Sequence, residues 1–155
     1  MLAVVEFHAN KSNHNRFIVN EFVVYSDFFV LQTLFKPPFD KSLLNSKALK
    51  TLRWLTRHFH KIQWEDEGLT FRKEFVKSML SQFSTVYTKG EEKSQFLKKF
   101  HLNVIELKSA PVVPKEYECN CKCILPQHDC YSICALRNAC FYFDYLKRVD
   151  VCENL

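Results

Sequence analysis

The residues best able to do chemistry in this chain are thiols crowded into one short segment. Five of the seven cysteines and one histidine lie between Glu118 and Cys134. These residues are Cys119, Cys121, Cys123, His128, Cys130 and Cys134. Such a cluster is typical of a metal site if the thiols are reduced, and of a disulfide framework if they are oxidised. Because seven is an odd number, full pairing would leave one cysteine over, which favours the metal site.

The amino-terminal segment bears on that choice, because secreted proteins begin with a recognisable leader. Residues 1–6 have neither the basic stretch nor the apolar stretch of a secretory signal. We therefore expect a reducing location, in the cytoplasm, the nucleus or both. Zinc is the structural cofactor that such a set of sulfur and nitrogen ligands would hold. The alternative is that Cys134 and Cys140 are buried small apolar residues and that the other thiols lie on the surface.

Composition limits the class of protein. The chain has 155 residues, of which 47% are hydrophobic and 15% aromatic, so residues 1–155 are expected to form one domain with its own core. No apolar run approaches the roughly 20 residues that span a bilayer, so no membrane partner is expected. The two glycines are too few for a glycine-rich phosphate loop, which argues against a nucleotide cofactor. The net charge of +5 is compatible with RNA binding and also with ordinary solubility.

The elements that must position these residues follow from hydrophobic periodicity and from turn residues. The predicted strands are, in chain order, 2–7, 16–25, 28–35, 85–88 and 103–107. The predicted helices are 42–60, interpreted as one or two helices, 71–83, 91–100 and 131–148. The first three strands are expected to be antiparallel, and an irregular segment at 110–126 precedes the last helix. The predicted fold class is α/β, with a mixed central sheet and flanking helices.

This order of elements resembles that of an RNase H-like domain, and three segments resemble motifs of the DEDDh exonucleases. Glu6 and His8 stand in the place of the Asp-x-Glu motif on the first strand, and Lys93 stands where the second motif has an aspartate. Ile133 and Asn138 stand where the last motif has a histidine and an aspartate. The resemblance implies a nuclease scaffold without the carboxylates that hold a pair of magnesium ions. The positive charge of Lys93 at such a site would oppose the binding of a cation, and its ammonium group could occupy the place of the metal.

A second resemblance, covering nearly the whole chain, is to the Maelstrom domain of piRNA-pathway proteins. The strand segment around Glu21, and the Cys-Ala-Leu sequence that begins at Cys134, are similar to the zinc motif of that family, whose ligands are Glu, Cys, His and Cys. The resemblance implies zinc ligation by Glu21, Cys123, His128 and Cys134. The spacing from Cys123 to His128 is longer than in the family, so other thiolates are alternative ligands. These alternatives are Cys119, Cys121 and Cys130.

The resemblance implies a catalytically degenerate RNase H-like module that binds RNA or a protein partner in small-RNA or transposon-silencing pathways. Enzymatic activity is therefore not the leading expectation. One alternative is a non-standard site that cuts single-stranded RNA, formed by Glu6, His8 and Glu21. Another is a scaffold that binds only proteins.

Basic residues on or next to two predicted helices are the candidates for contact with RNA. They are Arg53, Arg57, Lys61, Lys89 and Lys93. Trp54 and Trp64 would add stacking with bases. The simpler interpretation is a helix with a basic outer face and an aromatic core face. His58 and His60, near the end of the first predicted helix, are expected to be solvated.

Overall fold

The computed structural model describes residues 1–119, 122–125 and 134–153. Within these residues a mixed six-stranded sheet is flanked by helices, which confirms the expected mixed α/β class. The strands are β1 (Leu2–Lys11), β2 (Phe17–Ser26), β3 (Val30–Lys36), β4 (Leu69–Thr70), β5 (Thr85–Thr88) and β6 (Val104–Glu106). The helices are α1 (Ser46–His58), α2 (Lys73–Leu80), α3 (Glu91–Leu97) and α4 (Ala135–Glu153). None of the helices in this part of the chain is both long and apolar enough to cross a membrane.

The strands lie in the order β4-β3-β2-β1-β5-β6, so β1 has neighbours on both sides. β1, β2 and β3 are antiparallel, because short turns join them. In the first turn the backbone N–H of Ser12 donates to the carbonyl of Arg16 at 2.9 Å. Asn15 in that turn has a φ of 58°, a left-handed conformation that asparagine tolerates. β5 runs parallel to β1, and β6 runs parallel to β5 after the intervening α3.

Alternation of side chains along β1 divides the sheet into two buried faces. Val5 and Phe7 point to one face, where they share a core with Val76 of α2 and Leu97 of α3. Val4 points to the other face and packs under α4. α1 also packs against β1. Both faces of the sheet are therefore covered by helices.

A β-bulge interrupts the pairing of β1 with β2 and decides where two polar side chains point. His8 pairs with Glu21 and Ala9 pairs with Val19, so Asn20 is an extra residue on β2. A bulge lets consecutive residues point to the same side of a sheet. Asn20 and Glu21 both face the side covered by α1 and α4, as their hydrogen bonds indicate. With regular alternation, one of them would point into the apolar core under α2 and α3.

The predicted and observed elements differ mainly at their ends and at one strand. The third strand begins at Val30 instead of residue 28, because the hydroxyl of Ser26 accepts the backbone N–H groups of the preceding turn. The helix predicted at 71–83 is shorter, and the helix predicted at 131–148 is described only from Ala135 onwards. β4 was not predicted. Gly68 lies so close to β3 that a Cβ atom there would stand 2.7 Å from the carbonyl oxygen of Leu34, which explains a glycine at this position.

Candidate functional site

A strip of polar side chains crosses the sheet on the face covered by α4. This polar strip consists of Glu6 and His8 from β1, Glu21 from β2 and Gln32 from β3. Glu6, His8 and Glu21 are 1%, 4% and 0% exposed. A buried carboxylate is costly unless it is paired or hydrogen bonded. The partners of these residues therefore decide what the polar strip can do.

Glu21 joins three elements of the fold. The backbone N–H of Ala135 donates to its Oε1 at 2.9 Å, and the amide of Gln32 donates to its Oε2 at 3.0 Å. His8 Nε2 lies 4.0 Å from Oε1. Ala135 is the first residue of α4, so the carboxylate stands at the positive end of that helix dipole. The charge of Glu21 therefore stabilises the start of α4 above β2 and β3.

Cys123 and Cys134 bring their thiols to the same place. The Sγ atoms of these cysteines are 3.5 Å apart. Gln32 holds the loop that carries Cys123, because its amide donates to Cys123 Sγ at 3.2 Å and its oxygen accepts the N–H of Ile124 at 2.9 Å. One carboxylate oxygen of Glu21 and the two sulfur atoms all lie within 4.8 Å of one another. The structure thus brings together Glu21, Cys123 and Cys134 from the predicted ligand set.

This donor set fits a zinc ion. Two thiolates at about 2.3 Å from one tetrahedral zinc ion are about 3.8 Å apart, close to the observed 3.5 Å between the sulfur atoms. Sulfur ligands favour zinc over magnesium or calcium, which take oxygen ligands. His128, Cys121 and Cys130 lie outside the described residues, and ligation by them stays a prediction. Cys119 is half-buried and is not one of the three grouped donors, and Cys140 is buried, as expected of a packing residue.

The surroundings of the Cys134 thiol disfavour its negatively charged form in the absence of a cation. The pKa of Cys134 is raised above its ordinary value, first by its hydrogen bond with Cys123, then by burial and by the charge of Glu21. A divalent cation would favour the thiolate forms of both cysteines. Metal binding here would therefore release protons and would depend on pH.

Glu6 is paired with a lysine. Its Oε2 lies 2.7 Å from Nζ of Lys93 on α3, and its Oε1 accepts the backbone N–H of Lys89 at 3.0 Å. The side chain of Lys93 is 26% exposed, whereas that of Glu6 is 1% exposed. An ammonium group therefore stands against the carboxylate that the first exonuclease motif would use for metal. Asn138 is half-buried on α4, and Ile133 lies outside the described residues.

The residues of the alternative catalytic set are neighbours on the polar strip. Glu6 precedes His8 by two residues on β1, and Glu21 lies opposite His8 on β2. The ring of His8 packs edge-on against Phe59, with the ring centroids 5.1 Å apart. At the exposures given above, all three side chains are covered by other parts of the protein.

Sequence reasoning missed Gln32 and was wrong about His60, which was expected to be solvated. His60 is 0% exposed, although its neighbour His58 is exposed as expected. Nδ1 of His60 accepts the N–H of Ile62 at 3.0 Å, and Nε2 lies 2.8 Å from Oδ1 of Asn10. No local signal predicts this burial, because Asn10 is 50 residues away in the sequence. For Gln32 the only signal is a polar residue within a mainly apolar strand.

The predicted RNA-contacting residues separate into two groups. Arg53, Arg57 and Lys61 are exposed, on or just after α1. Nζ of Lys89 instead donates to three backbone carbonyl oxygens, at 2.7, 2.9 and 3.1 Å. Lys93 forms the buried ion pair described above. The first group is therefore the better candidate for contact with a ligand.

The two tryptophans also differ in environment. Trp64 is 7% exposed and packs against Phe39, with ring centroids 5.6 Å apart, as expected of a core residue. Trp54 is 57% exposed, and its ring centroid lies 5.7 Å from that of His58. The interpretation of an aromatic core face is therefore wrong for Trp54.

Comparisons with known proteins identify no relative of the chain. No protein-family model matches it, and no curated protein or solved structure matches it significantly. A functional proposal therefore has to rest on the geometry of the site and on the resemblances given above.

Proposed function

We propose that this chain is an RNA-binding module on an RNase H-like scaffold that has lost its metal-dependent cleavage site. The observation that carries the proposal is Trp54, which is 57% exposed on a helix with four lysine or arginine residues and no acidic residue. We call the surface formed by Lys47, Lys50, Arg53, Trp54 and Arg57 the α1 surface. All five side chains are exposed.

The α1 surface combines the two features that bind single-stranded nucleic acid. Cations along a helix attract the phosphate backbone, and an exposed aromatic ring offers a face on which a base can stack. Lys50, Trp54 and Arg57 lie at helical spacings that bring them to one side of α1. His58 places a second ring beside the indole of Trp54. A basic helix that is merely solvated does not require a tryptophan on its exposed face, whereas a surface on which bases stack does.

The sheet order supports the RNase H-like scaffold. β1, β2 and β3 are antiparallel neighbours in the sheet. β5 and β6 lie on the other side of β1 and run parallel to it. Three antiparallel strands followed by strands that alternate with helices is the chain order on which the resemblance to the exonucleases rests. The pairing of Glu6 with Lys93 supports the loss of cleavage, because an ammonium group there opposes a magnesium ion. The link to small-RNA and transposon-silencing pathways rests on the resemblance to the Maelstrom domain alone.

Zinc is the proposed structural cofactor of this module. Glu21, Cys123 and Cys134 would hold the ion, together with His128 or one of the alternative thiolates. Bound there, zinc would supply a cross-link between β2, the loop that carries Cys123 and the start of α4. Metal analysis of the purified chain tests this, with about one zinc ion per chain expected. Absence of zinc after purification from zinc-supplemented culture would contradict it.

Fluorescence anisotropy with a labelled single-stranded RNA of about 12 nucleotides tests RNA binding. We expect Trp54→Ala to weaken binding by about tenfold, since one stacking contact is worth about 1–3 kcal/mol. Arg53→Glu with Arg57→Glu should weaken binding further and make the affinity less dependent on salt.

Matched control variants lie on α2, away from the α1 surface. Phe75→Ala removes another exposed aromatic ring, and Lys77→Glu reverses another exposed charge. Both should change the dissociation constant by less than about twofold. RNA affinity that is insensitive to salt and to Trp54 would contradict the proposal and favour a protein-binding scaffold. Time-dependent RNA cleavage that is lost in folded Glu21→Ala would favour the nuclease instead.

A further inference from the structure

A groove of about 750 Å³ opens on the face of the sheet that carries α2 and α3. It lies between the hairpin of β1 and β2, the segment after β3, and α3. Its floor is formed by Phe17, Phe71, Phe96 and Phe100. We name it the phenylalanine groove. Its volume is in the range of about 300–1,000 Å³ that is usual for sites that enclose a ligand.

The floor of the groove is an apolar surface formed by aromatic rings that pack against one another. Phe17 and Phe96 meet edge to face, with centroids 5.6 Å apart, and Phe71 meets Phe100 in the same way at 6.1 Å. Phe17, Phe71 and Phe96 are only partly buried. The floor therefore offers apolar area that a large apolar side chain would cover favourably.

The rim of the phenylalanine groove is mainly cationic. Its charged residues are Lys11, Arg16, Lys36, Lys73, Lys99, Glu91 and Glu92. Lys11 pairs with Glu92 at 2.6 Å. No carboxylate within the described ranges forms an ion pair with Arg16, Lys36, Lys73 or Lys99. An acidic ligand would therefore meet complementary charge around an apolar floor.

We propose that the phenylalanine groove docks an acidic peptide segment of a protein partner, with a large apolar side chain of that segment seated on the floor. The rim cations would pair with carboxylates on either side of the apolar side chain. This surface lies on the face opposite to α1, so it is separate from the proposed RNA-binding surface.

The arrangement of the rings favours a peptide over RNA. Nζ of Lys11 lies 4.0 Å from the centroid of Phe17, and Nζ of Lys99 lies 5.6 Å from that of Phe96. An ammonium group therefore lies over one face of Phe17 and one face of Phe96, and a base would have to displace it in order to stack there. Lys99, which forms no ion pair within the described ranges, is well placed to pair with a carboxylate that flanks an apolar side chain.

Fluorescence anisotropy with labelled peptides tests the proposal. The probes are Asp-Glu-Leu-Phe-Glu-Asp-Trp-Leu-Glu-Asp and a set in which its apolar residues are permuted. One control set has lysine in place of every acidic residue, and another has serine in place of every apolar residue. We expect at least one acidic apolar peptide to bind with a dissociation constant below about 1 mM, and neither control set to do so. Failure of every acidic apolar peptide at that concentration would overturn the proposal.

Variants of the protein assign the binding to the groove. Lys73→Glu with Lys99→Glu should weaken binding by at least about tenfold, whereas Lys77→Glu, on the same helix as Lys73 but outside the groove, should change it by less than about twofold. Gln95→Trp fills the groove from an exposed position and should abolish binding in a protein that keeps its circular dichroism spectrum. An equal effect of Lys77→Glu, or no effect of Gln95→Trp, would overturn the proposal. So would displacement of the peptide by single-stranded RNA from a site that these variants map to the groove.

Discussion

Replacing Lys93 with methionine tests whether the ion pair with Glu6 stabilises the sheet. The pair joins α3 to β1, with Nζ 2.7 Å from the carboxylate oxygen. Methionine keeps an unbranched side chain of similar length, so the contact with the ring of Phe7 should persist while the positive charge is lost. Glu6 would then remain buried with one hydrogen-bond donor, the backbone N–H of Lys89.

The expected loss of stability follows from the exposed fractions of the Glu6 and Lys93 side chains. Removal of one partner of a buried ion pair costs about 3–5 kcal/mol, because the other charge stays buried without compensation. Here Lys93 is 26% exposed, so water can reach part of the vacated position. The hydrogen bond from Lys89 also remains. We therefore expect Lys93→Met to lower the free energy of unfolding by about 2–3 kcal/mol.

Urea denaturation followed by circular dichroism measures this change as a shift of the midpoint at constant slope. Lys11→Met is the matched control, since Lys11 forms an ion pair of 2.6 Å with Glu92, whose side chain is 70% exposed. The control should cost less than about 1 kcal/mol. Adding Glu6→Gln to Lys93→Met should recover stability, because the buried carboxylate that lost its partner is then replaced by a neutral amide. A cost for Lys93→Met no larger than for Lys11→Met would refute the reasoning.

Three further predictions follow from other parts of the fold. Cys134→Ser should remove bound zinc and abolish the fall in melting temperature that a chelator causes in the unaltered chain, as metal analysis and thermal denaturation would reveal. Gly68→Ala should destabilise the chain by about 1–3 kcal/mol in urea denaturation, because the new methyl group would press on the backbone of Leu34. Burial, with a smaller effect of the charge of Glu6, raises the pKa of Tyr142 from 10.0 to about 12, so the unfolded chain loses this proton first. Stability from this group is therefore present below pH 10 and is lost as the pH rises towards about 12, and this part of the alkaline loss should be absent in Tyr142→Phe.

Local patterns predicted much of the architecture. The hairpin of β1 and β2 follows from β-branched and aromatic runs on either side of a polar turn, and the helix α2 follows from apolar residues at helical spacing. The thiol cluster and the resemblance to a zinc motif pointed to Glu21, Cys123 and Cys134 before their positions were known. These features can be predicted from the sequence because each depends on neighbouring residues or on residue type.

Other features depend on contacts between distant parts of the chain, and periodicity carries no information about them. The bulge at Asn20 turns two consecutive side chains to the same face, although regular alternation would separate them. β4 can pair with β3 because Gly68 allows close approach to a strand more than 30 residues earlier. A Cβ atom at position 68 would lie only 2.7 Å from the carbonyl oxygen of Leu34.

The sequence by itself determined the clustering of the cysteines, the mixed α/β order and the basic character of α1. Only the tertiary structure decided that Trp54 is exposed while Trp64 is buried, and that Lys93 neutralises Glu6. Residue type does not distinguish the two tryptophans, so the packing around each one decides its exposure. The pairing of Glu6 with Lys93 spans 87 residues, and it forms because folding brings Lys93 of α3 to the middle of β1. Residue type therefore sets what a side chain is able to do, and long-range packing decides which partner it meets.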